Sequence, residues 1–177
     1  ADRARGLTKQ LLTFARGGEP VRKVTDLRRT IREAAAFSRV GSSVSCRVEV
    51  TERLWPVDAD EGQIGQVVQN LVMNAIEATV GAGEVSVEAT NVTLEGEDTV
   101  GLPPGPFVRI RVSDRGTGIP DEIAGRIFDP YFSTKQRRSG LGLAITHSIV
   151  ERHGGRIALH SAHGQGTRFD VLLPALP

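Results

Sequence analysis

Two asparagines one helical turn apart, Asn70 and Asn74, lie in the stretch 60–80, DEGQIGQVVQNLVMNAIEATV. At about 100° per residue, Gln63, Gln66, Asn70, Asn74 and Glu77 share an arc of roughly 80°. Ile64, Val67, Val68, Leu71, Ala75 and Ala78 form the neighbouring apolar side. A solvated helix face normally carries Lys, Glu and Arg, so a stripe of carboxamides predicts a face that meets something. The Asn74 side-chain oxygen suits Mg²⁺, a hard cation that takes oxygen ligands and keeps several waters. Asp114, followed by Gly116 and Gly118, can accept a hydrogen bond from an exocyclic amine while the glycines let backbone approach a flat ring. Gly140-Leu141-Gly142-Leu143 opens a helix, where free N–H groups and the helix dipole suit phosphate. Lys135, shortly before it, can bring a point charge to the same phosphates. Taken singly, each feature also has a plain structural reading: an odd surface helix, a turn aspartate, a tight loop, a surface lysine.

The elements that must position these residues follow from periodicity. Residues 3–16 carry Leu7, Leu11, Leu12 and Phe14 at helical spacing and stop at Gly17-Gly18 and Pro20, a stub of helix whose short apolar stripe needs a partner. Thr25-Asp26 caps a second helix bearing Leu27, Ile31, Ala34, Ala35 and Phe37, which ends near Gly41. Strands are expected where Val44, Cys46, Val48 and Val50 alternate, at Trp55–Val57, and through Val85, Val87 and Ala89. Residues 95–106 read as a mobile hairpin loop before a strand on Val108, Ile110 and Val112 that runs into Asp114. A helical turn capped near Asp121 leads to Phe128, and the helix after Gly140 continues to Gly154-Gly155. Two strands, on Ile157 and Leu159 and on Phe169, Val171 and Leu173, close the chain. The expected fold is α+β: a two-layer α/β sandwich whose mixed, mainly antiparallel sheet has helices on one face and solvent on the other.

The 177 residues allow one domain plus an appendage, with ordinary globular composition. A formal net charge of +1 gives no reason to expect nucleic acid as a partner. Cys46 is the single cysteine and reads as a buried small hydrophobe in a reducing compartment. No apolar run approaches membrane-spanning length and no signal peptide opens the chain.

In order along the chain, Asn-x-x-x-Asn, DxGxG, Phe-x-x-x-Phe (Phe128 and Phe132) and GLGL resemble the N, G1, F and G2 boxes of sensor histidine kinases. These belong to the gyrase, chaperone, histidine kinase and mismatch-repair ATPase superfamily. The resemblance covers about residues 44–177, and FDPYFSTK, GLGLAI, HGG and GTRFDVLLP are similar to the nitrogen-regulation type. It implies that Asn74 holds Mg²⁺ on ATP, with Asn70 lining the same pocket. Asp114 would read the adenine amine, with a water shared by Thr167, and Gly116 and Gly118 would form the adenine-side loop. Phe128 and Phe132 would anchor the segment covering ATP, Lys135 would touch its phosphates, and Gly140, Leu141, Gly142 and Leu143 would seat them. Related ATP-hydrolysing enzymes carry a glutamate general base where Asn70 stands; an amide cannot take that proton.

The chain departs from the family pattern at Arg138-Ser139, where Gly-Thr usually precedes the G2 box, and at Arg115, where Asn is usual. Arg137 and Arg138 read as solvated lid residues, and Glu77 as a solvated helix charge. No phosphoacceptor is visible: His147, His153, His160 and His163 read as packing or surface residues. The resemblance therefore makes 1–20 the end of a dimerisation and phosphoacceptor hairpin, and 21–177 the catalytic ATP-binding domain. It implies a protein-histidine kinase whose acceptor histidine lies outside this chain. The expected partners are that hairpin and a response-regulator receiver domain, within a cytoplasmic homodimer that could be membrane-anchored at full length, with no membrane contact by this part. Two alternatives stand beside it: an anti-sigma-type serine kinase, and a degenerate module that only senses nucleotide.

Overall fold

The computed structural model describes residues 19–38, 41–81, 83–96, 101–133 and 140–177. The expected helix 3–16, Lys135, Arg137 and Arg138-Ser139 lie outside them. Among the described residues, seven strands and four helices follow in chain order: β1 Lys23–Thr25, α1 Arg28–Ser38, β2 Ser45–Val50, β3 Val57–Ala59, α2 Glu61–Ala78, β4 Glu84–Leu94, β5 Gly105–Asp114, α3 Asp121–Ala124, α4 Gly142–Arg152, β6 Arg156–Ser161 and β7 Thr167–Pro174. Five strands form one sheet in the order β2-β4-β5-β7-β6. β2 and β4 pair in parallel and the other neighbours antiparallel, so the sheet is mixed and mainly antiparallel. β1 and β3 form a separate antiparallel ribbon. α1, α2 and α4 pack with one face of the five-stranded sheet around a core that includes Leu27, Ile31, Ile64, Leu71, Ile110, Leu141 and Leu173. No helix among the described residues is long and apolar enough to cross a membrane.

Local chemistry sets the helix ends. Asp60 caps α2 by accepting from the Gln63 N–H, which satisfies one of the orphan donors of the first turn. At the other end the Thr79 N–H donates to Ala75 O and Ile76 O. α4 ends at His153, which is buried although polar. Its Nδ1 lies 2.8 Å from Ile149 O, and its Nε2 accepts from the Asp60 N–H at 3.0 Å. A carbonyl only accepts, so Nδ1 carries the hydrogen and the ring is held as one neutral tautomer. One imidazole thus ties the C-terminal cap of α4 to the N-cap of α2.

Several expectations need correction. Phe37 is 71% exposed; it sits about 120° round the helix from Ile31, beyond the edge of the face that α1 buries with Thr30, Ile31, Ala34, Ala35 and Ser38. The short strand near Trp55 is Val57–Ala59, paired with β1, while the Trp55 N–H donates to Asn91 Oδ1. Cys46 is half-buried because β2 is an edge strand. The cap expected near Asp121 is its neighbour Pro120, which makes no side-chain bond and whose carbonyl accepts from the Ile123 and Ala124 N–H groups. The loop 95–106 is not wholly free, because Leu102 is buried with Phe107 and Leu172, a small apolar cluster on the sheet face opposite the helices. That face is otherwise polar, and Arg111 grips Asp170 through Nε at 2.6 Å and Nη2 at 3.1 Å. The bidentate carboxylate raises the Arg111 pKa further.

His153→Phe keeps a ring but leaves the Asp60 N–H without its acceptor, while the Ile149 carbonyl keeps only the backbone N–H of residue 153. The expected result is a loss of about 1–3 kcal/mol in stability, read as a lower urea midpoint with an unchanged slope.

Candidate functional site

β5 and β7 present Val108, Ile110, Val112 and Asp114, and Thr167, Phe169, Val171 and Leu173, to the same core as the helices. Asp114 and Thr167 are register partners at the end of this apolar column, so alternation turns both inward. Both are buried, Asp114 at 9% exposure and Thr167 at 6%. The Gly116 N–H donates to Asp114 Oδ1 at 2.8 Å, which fixes the carboxylate and leaves it acceptor capacity. A carboxylate buried at the sheet's end is a group that can accept from a donor such as a planar amine.

Three backbone approaches build the surroundings of that carboxylate. A Cβ on Gly116 would stand 2.1 Å from Ala78 O, one on Gly118 2.0 Å from Ala162 O, and one on Gly166 2.1 Å from Asp114 O. Gly118 and Gly166 also have φ of +69° and +83°, where side chains are strained. The Thr117 N–H donates to Ala78 O, and the Gly164 N–H donates to Thr117 O. The DxGxG loop is therefore clamped between the end of α2 and the β6–β7 turn. Sequence reading missed Ser161 in this clamp. Its hydroxyl donates to Gly166 O at 2.8 Å, accepts from the Ile119 N–H at 2.8 Å and meets Thr167 Oγ1 at 3.0 Å. A lone serine at a strand end carries no pattern that would have marked it.

On the other side of the site, Asn70 Nδ2 donates to Gly142 O at 3.1 Å and to Thr146 Oγ1 at 3.3 Å. The carboxamide stripe of α2 thus meets the first turn of α4, as its composition suggested. Asn74, one turn on, is half-buried, and Glu77 is exposed. Leu141 precedes α4 with no side-chain cap bond among the described residues, so the N–H groups at that end remain suited to an anion. Leu141 is fully buried and Leu143 packs against the core; the two leucines anchor the loop. Gly140, at φ +66°, leaves no room for a side chain beside Tyr131, and its carbonyl accepts from the Tyr131 N–H at 3.0 Å.

Phe128 lies 5.1 Å from the His147 ring and 6.3 Å from the Phe169 ring. It ties the segment after α3 to α4 and β7. Phe132 packs against the core, with the Arg126 guanidinium 4.7 Å over its ring. Asn70, Asn74, Asp114, Gly116, Gly118, Phe128, Phe132, Gly140 to Leu143 and Thr167 therefore sit on elements that converge at one end of the helix–sheet interface. Lys135 lies outside the described residues. No cluster of three or more His, Cys, Asp or Glu that could hold a metal occurs among the described residues.

This arrangement matches a known family. The model of histidine kinase-, DNA gyrase B-, and HSP90-like ATPases matches residues 59–177. The chain belongs to that family, and its relatives place it with the sensor histidine kinases. It is 34% identical to sensor kinase CckA of Brucella abortus over 99% of its own length and 19% of the relative. It is 34% identical to sensor histidine kinase ZraS of Escherichia coli K12 over 98% of its length and 36% of the relative. The chain thus spans between about a fifth and about a third of these relatives. Among solved structures, a mycobacterial sensor histidine kinase, MprB, superposes with a TM-score of 0.74 at 26% identity, covering 89% of this chain and 99% of that one. Full-length ShkA in complex with AMPPNP superposes with a TM-score of 0.79 at 27% identity, covering 98% of this chain and 36% of that one.

Gly164 and Gly166 flank the same turn but differ in room: Gly164 has open space about its Cβ direction. Gly164→Ala carries only the cost of its positive φ, about 1–2 kcal/mol. Gly166→Ala adds overlap with the Asp114 carbonyl, so its urea midpoint should fall further than that of Gly164→Ala.

Proposed function

We propose that residues 21–177 are the catalytic ATP-binding domain of a two-component sensor histidine kinase, and that 1–20 end its dimerisation and phosphoacceptor hairpin. The observation that carries the nucleotide reading is the buried Asp114 carboxylate, paired with Thr167 and held by the Gly116 N–H at the mouth of the sheet. In this reading Asp114 accepts from the adenine amine, with Thr167 beside it through a shared water. Gly116 and Gly118 bring the loop backbone close to the ring. The start of α4, from Gly140 to Leu143, seats the phosphates, and Lys135 adds its charge to them. Asn74 holds Mg²⁺ through its side-chain oxygen, with Asn70 one turn earlier. The donor set fits the ion: neutral amide oxygens leave the phosphates as its charged ligands, and Mg²⁺ keeps water in the remaining positions. The metal supplies neutralisation of charge on the transferring group.

The acceptor is a histidine elsewhere in the full-length protein. Its ring nitrogen attacks the γ-phosphorus, a nitrogen–phosphorus bond forms, the bond to the β,γ-bridging oxygen breaks, and ADP leaves. The phosphoryl group then passes to an aspartate on a response-regulator receiver domain. The protein's part is positioning and charge. Asn70 has no basic atom with which to activate water, which favours holding ATP for transfer over hydrolysing it. A cytoplasmic location and a homodimeric full-length protein complete the proposal.

Titration of the folded chain with a non-hydrolysable ATP analogue, with and without Mg²⁺, tests it. Asp114→Ala should weaken binding by at least about tenfold, the weight of a hydrogen bond to a buried charged acceptor. Asn74→Ala should lower the gain in affinity that Mg²⁺ brings; an unchanged magnesium requirement would sink that role. Lys135→Ala should cost affinity for the ATP analogue more than for adenosine, and equal losses would place the lysine elsewhere. Absence of binding by the unmutated, folded chain would overturn the reading as a whole.

A further inference from the structure

Thr146 belongs to none of the four motif boxes, yet it is a polar residue with 0% exposure. Its hydroxyl oxygen stands 3.3 Å from Asn70 Nδ2, and the same nitrogen is 3.1 Å from Gly142 O. Gly142 and Thr146 are four residues apart on α4, so both acceptors lie on one helix face. Gly142 O is a carbonyl and can only accept, which decides the orientation of the Asn70 amide: its nitrogen takes the two acceptors, and its oxygen is the other arm, turned towards the Cβ direction of Gly142 at the start of α4. An NH₂ group has two hydrogens, and the two acceptors on α4 use both.

We propose that Thr146 is a positioning residue of the nucleotide site, whose hydroxyl locks the Asn70 amide so that only its oxygen is offered to the metal and phosphate side. The terminal torsion of an asparagine is broad and nearly two-fold, and one hydrogen bond to Gly142 O leaves the amide plane free to rock about it. The second bond, to Thr146, fixes the plane. Asn70 then presents an acceptor, which serves a cation or the hydrogens of its bound waters, and withholds the N–H donors that would bind phosphate oxygen directly. This inference rests on the Mg-ATP reading of the site and adds the residue that sets the polarity of one of its walls. Thr146 touches neither nucleotide nor metal in this account and acts only through Asn70.

Thr146→Val keeps the shape of the side chain and removes the acceptor; Thr146→Ser keeps the acceptor. Calorimetric titration of each folded variant with a non-hydrolysable ATP analogue, with and without Mg²⁺, and with adenosine alone, separates the possibilities. The expected result is that Thr146→Val reduces the gain in analogue affinity brought by Mg²⁺ by about three- to tenfold, the weight of one hydrogen bond. Adenosine binding should stay as in the unmutated chain, and Thr146→Ser should restore the magnesium gain. In an Asn70→Ala background, Thr146→Val should add nothing further, the mark of a shared interaction. Thermal unfolding of each variant confirms that folded protein is being titrated, and Thr146→Ala carries the same test should the valine variant not fold. An unchanged magnesium gain in Thr146→Val, an equal loss for adenosine, or full additivity with Asn70→Ala overturns the inference while leaving the nucleotide site standing. Failure of the unmutated chain to bind the analogue overturns both.

Discussion

Three peptide carbonyls, those of Ala78, Ala162 and Asp114, each lie where a side chain on the facing residue would collide with them, and each faces a glycine. The end of α2, the loop after β5 and the β6–β7 turn therefore meet backbone to backbone. Much else at this end of the molecule follows from that approach. It lets the Thr117 N–H reach Ala78 O and the Gly164 N–H reach Thr117 O, so the loop is bonded to helix on one side and turn on the other. It also sets Asp114 and Thr167 as partners at the last register of β5 and β7. A carboxylate buried at such a point is costly unless bonded, and the Gly116 N–H that bonds it comes from the loop that the close approach holds in place. Sheet packing, loop conformation and the buried Asp114 carboxylate are thus a single construction.

The parts of this construction that rest on local pattern were legible in the sequence. The carboxamide stripe of α2 showed in its period, and the structure sets Asn70 against α4 as an unusual polar face should be set. The sheet's mixed character and its helix-covered face also followed from alternation. What did not follow were contacts made by single polar atoms across long chain separations. Ser161 bridges to Ile119, and His153 to Asp60, and neither residue type announces such a partner. A short strand was expected near β3, at Trp55–Val57, but β1 and its pairing with β3 escaped because three residues are too few for alternation to register. Phe37 misled for the opposite reason: an aromatic residue near the end of an amphipathic helix counts towards its stripe, yet the helix turns it outward.

The sheet face away from the helices was read as solvated, and it is so only in part. Phe107, Leu172 and Leu102 bury one another there, with Val92 and Leu94 packed beside them. The reason lies in the ends of β4 and β5, whose pairing extends to Leu94 and Gly105. Residues 101–104 leave that hairpin's neighbourhood by folding Leu102 onto the sheet. Elsewhere the face is held by charge, with Asp170 accepting both arms of Arg111 and lying within 3.6 Å of His160 and 3.4 Å of Arg168. Cross-strand pairs of this kind tie β5, β6 and β7 together from outside, while the core-facing column does so from within.

The same logic of paired attachments governs α2 and α4. Near their middle and start they are joined through Asn70, Gly142 and Thr146; at the other end they are joined through Asp60 and His153. Asp60 serves this second joint with three of its polar atoms, since Oδ1 accepts from Gln63 N–H and Oδ2 from Val21 N–H while its own N–H goes to the imidazole. Arg22 adds a bond to the carbonyl of Arg152. Two helices fixed at one point can pivot, whereas two helices fixed at both ends can only slide by breaking hydrogen bonds. Neither helix can then rotate its polar residues away from the other without exposing an unpaired buried donor or acceptor, which costs more than the bond itself contributes. The start of α4 and the carboxamides of α2 are held in a fixed relation by the side chain of Asn70, bonded to the Gly142 carbonyl and the Thr146 hydroxyl, whereas the loop after β5 is held by close backbone approach at Gly116, Gly118 and Gly166. The two walls of the site are thus built by separate means, and a substitution that loosens one need not loosen the other.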